Sequence, residues 1–531
     1  MPKLNKLSEI QAHHQRGDLV AAKKAYEAYL KTHTEDAEAW HSYGMLCAQQ
    51  NNFAEAVTYL QRATQFSPDN PAFHVNLANA YKAQDLFHEA IQSLQLALTL
   101  EPNYSTALNN LGTVYYALEQ WEEAIHAFEA AIAIQSDYLD AHYNLGLSYA
   151  KSQRLDKAVS TYHTLLQYNP ENTAVNFQLG CLFLSDGKPT QALSHFLQIE
   201  KQFPEHFETQ SNLATCYLQL GDLQLAHQHY LQANKTNDTD TQILFNLGVT
   251  AMQLGNIAAA VKYYQAVLKL NPWDFATQNN LGAAFLSLQQ TENALKHFRE
   301  ALCLRPENEA IRYTIQALSQ ENTPNNASPV YIQNLFDSYA DHYDQHLQTH
   351  LHYHVPEQLL AAVTTITPLT TPRDILDLGC GTGLCGALFK PYAKTLTGMD
   401  LSPNMLKLAE RKGIYDTLIQ NEFLQGLQSS QQTYDLILAG DVFVYFGDLS
   451  PLLQTLRRAL RPEGLLAFNT ESSGLSDYQL NTTGRFSHQK TYIEVLAEFH
   501  HFEIVHAERI TSRMQNNAPV HGNLFVLKAR S

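Results

Sequence analysis

A pair of positions, Leu or Tyr followed by Gly or Ala, recurs along the first three hundred residues at a fixed interval. It falls at Tyr43–Gly44, Leu77–Ala78, Leu111–Gly112, Leu145–Gly146, Leu179–Gly180, Leu213–Ala214, Leu247–Gly248 and Leu281–Gly282, with 34 residues to each step. Twelve residues after each small residue stands an alanine: Ala56, Ala90, Ala124, Ala158, Ala192, Ala226, Ala260 and Ala294. Twelve further on, Pro68, Pro102, Pro170, Pro204, Pro272 and Pro306 fill all but two of the positions, which hold Ser136 and Asp238. The pattern predicts two helices per period. The small residue on the first helix and the alanine on the second let the pair approach closely. The proline follows the second helix, where it cannot continue it but can open the next turn.

This 34-residue helix–turn–helix pattern resembles the tetratricopeptide repeat over residues 3–308, with a weaker first copy marked by Ala22. The segment 309–320, EAIRYTIQALSQ, is predicted to cap the exposed last face of the solenoid, so the array is expected to occupy 3–320. The residue before each pair is Ser42, Asn76, Asn110, Asn144, Gln178, Asn212, Asn246 and Asn280. A column of carboxamides can bond the backbone of an extended peptide, because each offers a donor and an acceptor. It resembles the asparagine ladder of the O-GlcNAc transferase solenoid. That resemblance makes Asn76, Asn110, Asn144, Gln178, Asn212, Asn246 and Asn280 candidate contacts for a protein or peptide partner. A purely structural role for the column stands beside it.

Residues 321–330, ENTPNNASPV, lack apolar periodicity and read as a linker. Over 331–531 short β-branched runs alternate with helical ones, as in a doubly wound α/β domain. Strands are predicted at 374–378, 395–399, 417–420, 434–439, 465–470, 502–507 and 523–528. At the first of them DILDLGCGTGLCG admits two glycine frames. One is G-x-G-x-x-G from Gly381, a dinucleotide pattern; the other is D-x-G-x-G-x-G from Asp377, with Gly379, Gly381 and Gly383. A dinucleotide fold leads its strand almost directly into the first glycine of its pattern. Here the apolar residues stop at Leu378, so the turn begins at Gly379 and the second frame fits.

That frame, with GMDLSPNML (398–406), YDLILAGDVFVYF (434–446) and RRALRPEGLLAF (457–468), resembles class I S-adenosylmethionine-dependent methyltransferases. Together with the array, 331–531 is similar to the bacterial tetratricopeptide-repeat methyltransferases. The resemblance implies a seven-stranded Rossmann-like sheet with its last strand antiparallel, and S-adenosylmethionine as cofactor. It implies cofactor contacts at Asp377, Gly379, Gly381, Gly383, Asp400, Leu401 and Asp441, and at Tyr339 and Tyr343 from a covering helix. The acid that the family places after its third strand appears as Asn421. Asp441, Tyr445 and His488 are candidates for the catalytic step, and Arg485 and His488 for holding a carboxylate or phosphate. The chain lacks the Asn/Asp-Pro-Pro-Tyr sequence, which disfavours methylation of DNA bases or glutamine. Two other readings remain: a repeat scaffold with a cofactor-sensing or silent methyltransferase domain, and an oxidoreductase resting on GTGLCG alone.

Net charge −17 argues against a generic nucleic-acid binder, which needs basic surface. The six cysteines have neither metal-ligand nor dense disulfide spacing, as expected of buried thiols in a reducing compartment. No apolar run approaches the ~18 residues of a bilayer span, and the first residues lack a signal-peptide core, so a cytoplasmic protein is expected. His342, His346 and His350 share one helical face, yet without H-E-x-x-H or a Cys or carboxylate companion no metal is expected.

Overall fold

The computed structural model describes residues 2–340, 343–344, 347, 351–368, 370–429, 431–474, 476–515 and 518–531. The chain divides into two compact units, Met1–Thr250 and Ala251–Ser531.

The first unit is helical throughout. Paired helices such as Ala37–Gln49 with Phe53–Phe66, and Ser105–Ala117 with Trp121–Ile134, follow the 34-residue period. Its small residues are seats for large ones. A Cβ added at Gly44 would come within 2.6 Å of Leu60, and one at Gly112 within 2.6 Å of Phe128. Gly146 and Gly180 stand likewise against Tyr162 and Phe196, so a methyl group at any of these positions would push the paired helix away. The alanines twelve residues on are fully buried.

The prolines have a second use, as hydrogen-bond acceptors for a side chain six residues on. Pro68 O accepts from His74 Nε2 at 2.8 Å, Pro170 O from Asn176 Nδ2 at 3.0 Å and Pro204 O from Gln210 Nε2 at 2.7 Å. The carboxamide column is half-buried and bonded across repeats. Asn110 donates to Asn79 Oδ1 at 3.0 Å, Asn144 to Asn109 Oδ1 at 3.2 Å and Gln178 to the Tyr143 hydroxyl at 3.5 Å. Asn76 Nδ2 lies 2.8 Å from His41 Nε2, and Asn212 Nδ2 is 4.0 Å from Cys181 Sγ. Asn246 Oδ1 accepts from Gln242 at 3.2 Å.

The second unit begins with the last repeat helices, Ile257–Leu270, Phe275–Ser287 and Thr291–Leu304, followed by the helix Glu309–Ser319. Asn280, on the second of these, bonds the Tyr264 hydroxyl. Then come the helices Pro329–Tyr339 and Val355–Ile366 and an α/β sandwich. Its strands are β1 (Arg373–Leu378), β2 (Ala393–Asp400), β3 (Thr417–Gln420), β4 (Tyr434–Ala439), β5 (Leu460–Ser472), β6 (Tyr478–Leu480), β7 (Phe486–His488), β8 (Phe502–Gln515) and β9 (Ala518–Ala529). The main sheet runs β3-β2-β1-β4-β5-β9-β8. β1 to β5 pair in parallel, and β9 is antiparallel to both its neighbours. The fold class is therefore the expected one, with one addition: the short hairpin β6–β7 rides on the end of β5.

One apolar layer, on one face of the sheet, takes in Val355, Leu359, Phe389 and Leu436. The opposite layer holds Leu376, Phe443, Phe468, Ile493 and Phe525. Tyr313 and Ala317 of the helix Glu309–Ser319 are part of that second core, as is Ala327. The helix predicted to cap the solenoid thus buries apolar side chains in the α/β layer. Among the described residues no helix is long and apolar enough to cross a membrane.

Candidate functional site

The parallel strands end together along one edge, and the turns that follow them shape a cavity of about 620 Å³. After β1 the chain bends through Gly379, Gly381 and Gly383, with φ of +68°, +51° and +93°. Gly379 N and Cys380 N both donate to Met399 O, which folds the loop over β2. A Cβ at Gly379 would run into Val442, whereas one at Gly381 would meet only the edge of Tyr343, at 3.9 Å. Gly379 and Gly381 therefore line the cavity with bare backbone. Gly383 begins the next helix and packs on Tyr415 instead.

Asp377 is buried beneath this loop and accepts from the Tyr415 hydroxyl at 2.6 Å. It is not among the cavity's lining residues. Burial pushes its carboxyl up to about 7, against hydrogen bonds from Tyr415 and the Gly386 amide that favour the anion. A folded pKa above the unfolded one stabilises the fold fully below the unfolded value, and that contribution is lost as pH rises toward 7. Between pH 4 and pH 7, Asp377 therefore removes roughly 4 kcal/mol of stability at most. Calorimetric melts of Asp377→Asn, which mimics the protonated acid, are expected to show a flatter pH dependence over that window than the wild-type chain. Parallel pH profiles would contradict the assignment.

Asp400 ends β2 on the cavity wall. Its Oδ1 accepts from Ser402 N at 2.9 Å and its Oδ2 from Gly381 N at 2.8 Å, so one carboxylate ties the glycine loop to the start of the next helix. Burial raises its pKa and these amides oppose the rise. Ser402 caps the helix Pro403–Lys412. Leu401, Tyr339 and Tyr343 also line the cavity. The helix carrying Tyr339 is tethered from outside: Asp337 accepts from the Ser402 hydroxyl and from Asn404 N. After β3 it is Glu422, not Asn421, that reaches the lining. Asn421 packs under Gly426, while the Glu422 carboxylate accepts from Leu424 N and Gln425 N.

The opposite end of the cavity is charged. Asp441 follows β4 with φ +58°, a left-handed conformation unusual for a side-chain-bearing residue. Asn469 holds it there from both sides, accepting from Asp441 N at 2.7 Å and donating to Oδ1 at 2.8 Å. Arg485 donates to Asp441 Oδ2 at 2.8 Å, to Glu471 Oε1 at 2.6 Å and to the Tyr445 hydroxyl at 3.3 Å. Arg513 donates to Glu471 Oε1 at 2.7 Å and lies 3.9 Å from Asp441 Oδ2. Two guanidiniums and two carboxylates thus balance. Burial pushes the Asp441 carboxyl up, but Arg485 and Arg513 outweigh it and hold the group below its usual range. Asp441, Tyr445, Arg485 and Arg513 all line the cavity.

His488 does not reach it. The ring is fully buried, with Nε2 directed to the carbonyls of Phe446 (2.8 Å) and Gly447 (3.2 Å), and burial lowers its pKa to about 4. Such a group, donating to backbone, neither takes a substrate proton nor clamps an anion in the cavity. The base and clamp roles expected of His488 therefore give way to holding the 446–447 turn. Arg485 and His488 stand three apart in an extended chain, so they point to opposite faces and one alone can look inward. Glu422, Asn469, Glu471 and Arg513 were not singled out in the sequence. A polar run, NTES (469–472), closing an apolar strand was the available signal for two of them. Among the described residues no group of three or more His, Cys, Asp or Glu is arranged to hold a metal ion. His342, His346 and His350 lie outside the described residues.

The family described as "Methyltransferase domain" matches residues 376–466. Tetratricopeptide-repeat families match 7–71 and 245–309, 48–111 and 183–247, 112–153, and 139–172. Among curated relatives, a malonyl-[acyl-carrier protein] O-methyltransferase of Halalkalibacterium halodurans is 38% identical over 108 residues, 19% of this chain and 39% of that protein. The protein of the same name from Priestia megaterium is 36% identical over 104 residues, 19% of this chain and 37% of its own length. The chain spans about two-fifths of the length of these relatives. Among solved structures, the type IV pilus biogenesis factor PilW is 18% identical with a TM-score of 0.36, over 40% of this chain and 97% of that one. A tetratricopeptide repeat protein from Parabacteroides merdae is 18% identical with a TM-score of 0.35, over 47% and 99%. The chain is a tetratricopeptide-repeat protein that carries a methyltransferase domain in its C-terminal part.

Proposed function

We propose that residues 331–531 form an S-adenosylmethionine-dependent methyltransferase acting on a carboxylate oxygen. In this reading the repeat array, 3–320, recruits a protein partner or substrate, and 321–330 joins the two. The observation that carries it is the polarity of the cavity, with bare glycine backbone and Asp400 at one end and Arg485 with Arg513 at the other.

The residues present fit the cofactor. Gly379 and Gly381 leave room for close approach, Asp400 presents its carboxylate for ribose hydroxyls, and Tyr339, Tyr343, Leu401 and Phe423 offer apolar cover. Asp377 and Gly383 support the loop from beneath, and Glu422 is the acid nearest the place expected for Asn421. S-adenosylmethionine, when bound, supplies a methyl carbon on a positively charged sulfur. The chain's own task is alignment and exclusion of water.

Acceptor chemistry follows from what the other end lacks. A hydroxyl acceptor needs a base to take its proton. Asp441 is held by two guanidiniums, which makes it a weak base, and His488 is turned away. A carboxylate arrives deprotonated and needs none. Arg485 and Arg513, although their charges balance Asp441 and Glu471, can orient it by hydrogen bonding together with the Tyr445 hydroxyl. The named acceptor of the curated relatives, a malonyl group on acyl-carrier protein, also carries a carboxylate.

The array's share of the function rests on its carboxamides. Asn110 and Asn144 each give an N–H to a neighbouring repeat, and their carbonyl oxygens can accept from the N–H groups of an extended peptide.

Incubation of the chain with methyl-labelled S-adenosylmethionine and a malonyl thioester is expected to give label released by mild alkali, as a methyl ester releases it. Alkali-stable label, or none from a chain that binds cofactor, would refute the carboxylate acceptor.

A further inference from the structure

The helix Glu309–Ser319 closes the repeat array, yet among the described residues its one buried side-chain hydrogen bond outside its own neighbourhood goes to a turn that shapes the charged end of the cavity. The Tyr313 hydroxyl, fully buried, donates to Gly484 O at 2.9 Å across 171 residues of sequence. Gly484 sits with φ +78° in the turn between β6 and β7, closed by Gly484 N to Asn481 O (2.9 Å) and Asn481 N to Arg485 O (2.8 Å). A Cβ at Gly484 would come 2.6 Å from the Tyr331 hydroxyl, and Tyr331 packs on Tyr313 with ring centres 4.5 Å apart. This turn delivers Thr483 and Arg485 to the cavity.

The connector behind the helix grips a second wall. Ala327 N donates to Tyr445 O at 2.8 Å, Gly447 N donates to Asn325 O at 2.7 Å, and Asn326 bridges Phe446. Ser328 ties back to Glu309 at 2.6 Å, which fixes connector and helix to each other. The end of the repeat array and its connector therefore back both Arg485 and Tyr445.

We propose that Tyr313 is a positioning residue for acceptor binding: through Gly484 O it sets the turn that aims Arg485, so the terminal repeat helix is a working part of the acceptor pocket. The proposal rests on the acceptor lying at the Arg485 end. Gly484 uses its carbonyl, not a side chain, so what Tyr313 controls is the path of the backbone into Arg485. Among the described residues the hydrogen bond and ring contact of Tyr313 go to Gly484 and Tyr331, so the cofactor loop, 379–383, should not sense its loss.

Tyr313→Phe in the full-length chain removes the hydroxyl and keeps the ring packing. Loss of one buried hydrogen bond corresponds to about a fivefold change in an equilibrium. Amide exchange at 481–486 is expected to quicken about fivefold, with 374–386 and 490–499 unchanged and S-adenosylhomocysteine affinity within twofold of wild type. KM for a malonyl thioester should rise by a similar factor at constant kcat. Unchanged exchange at 481–486 would overturn the proposal. Faster exchange throughout the α/β layer would overturn it too, because that is what general destabilisation produces. A wild-type chain that binds S-adenosylhomocysteine but ignores the thioester would defeat the carboxylate reading alone. The exchange result would still decide the role of Tyr313.

Discussion

Replacing Arg485 with alanine is expected to cause the largest loss of any single substitution in the α/β layer. Arg485 donates to Asp441, Glu471 and Tyr445 from a buried position, and its charge is half of what balances the two carboxylates. Without it Arg513 alone faces both. Breaking a buried ion pair from one side costs about 3–5 kcal/mol, because the surviving charge stays desolvated. Hydrogen exchange at the β5 amides, 466–470, reads that loss. Tryptophan fluorescence is unsuited, since Trp40, Trp121 and Trp273 all belong to the repeat array. Arg485→Lys separates stability from function. An ammonium retains the charge but cannot bond Asp441, Glu471 and Tyr445 together in one plane. It should recover most of the stability and remain at least ~100-fold down in kcat/KM for a malonyl thioester, the scale of one lost charged contact to the acceptor. Full activity in Arg485→Lys would show that charge alone suffices there.

Asp400→Asn is expected to be nearly as damaging to cofactor binding as Asp400→Ala, although it changes one atom. Both carboxylate oxygens accept from backbone amides, Ser402 N and Gly381 N. A carboxamide must turn its NH2 toward one of these N–H groups, leaving two donors face to face. An unsatisfied buried donor costs about 1–3 kcal/mol, and here the strained group is the glycine loop itself. Affinity for S-adenosylhomocysteine should fall at least ~10-fold, with a stability loss of about 1–3 kcal/mol. Wild-type affinity in Asp400→Asn would mean that the loop does not depend on this carboxylate.

Much of the architecture was legible because it repeats or because it turns. Eight copies in one register leave the array's helices no other period, and the structure adds which side chains the small residues seat. The segments TLIQ and YDLILA form β3 and β4 with the predicted bounds. The last two strands are longer than predicted, since ERITSRMQ is mainly polar and APVHG contains a proline and a glycine, along a hairpin only partly covered by the core. That extension is what hid Arg513, whose place depends on pairing between distant segments. His488 and Asn421 show a finer limit. Each lies within a few residues of a cavity-lining group, but the two-residue period of extended chain makes a small offset the difference between facing the cavity and facing the core. The part played by the helix Glu309–Ser319 was invisible for another reason. An amphipathic helix at the end of a solenoid needs cover, and its sequence does not say which domain provides it.

Titration of the wild-type chain with S-adenosylhomocysteine, with NAD as the comparison, tests the cofactor end of the cavity most directly. Saturable binding of one S-adenosylhomocysteine per chain, lost or weakened in Asp400→Asn, and no binding of NAD, is the predicted result. Binding of NAD without S-adenosylhomocysteine, or of neither, would contradict the assignment of the glycine loop and Asp400 to S-adenosylmethionine.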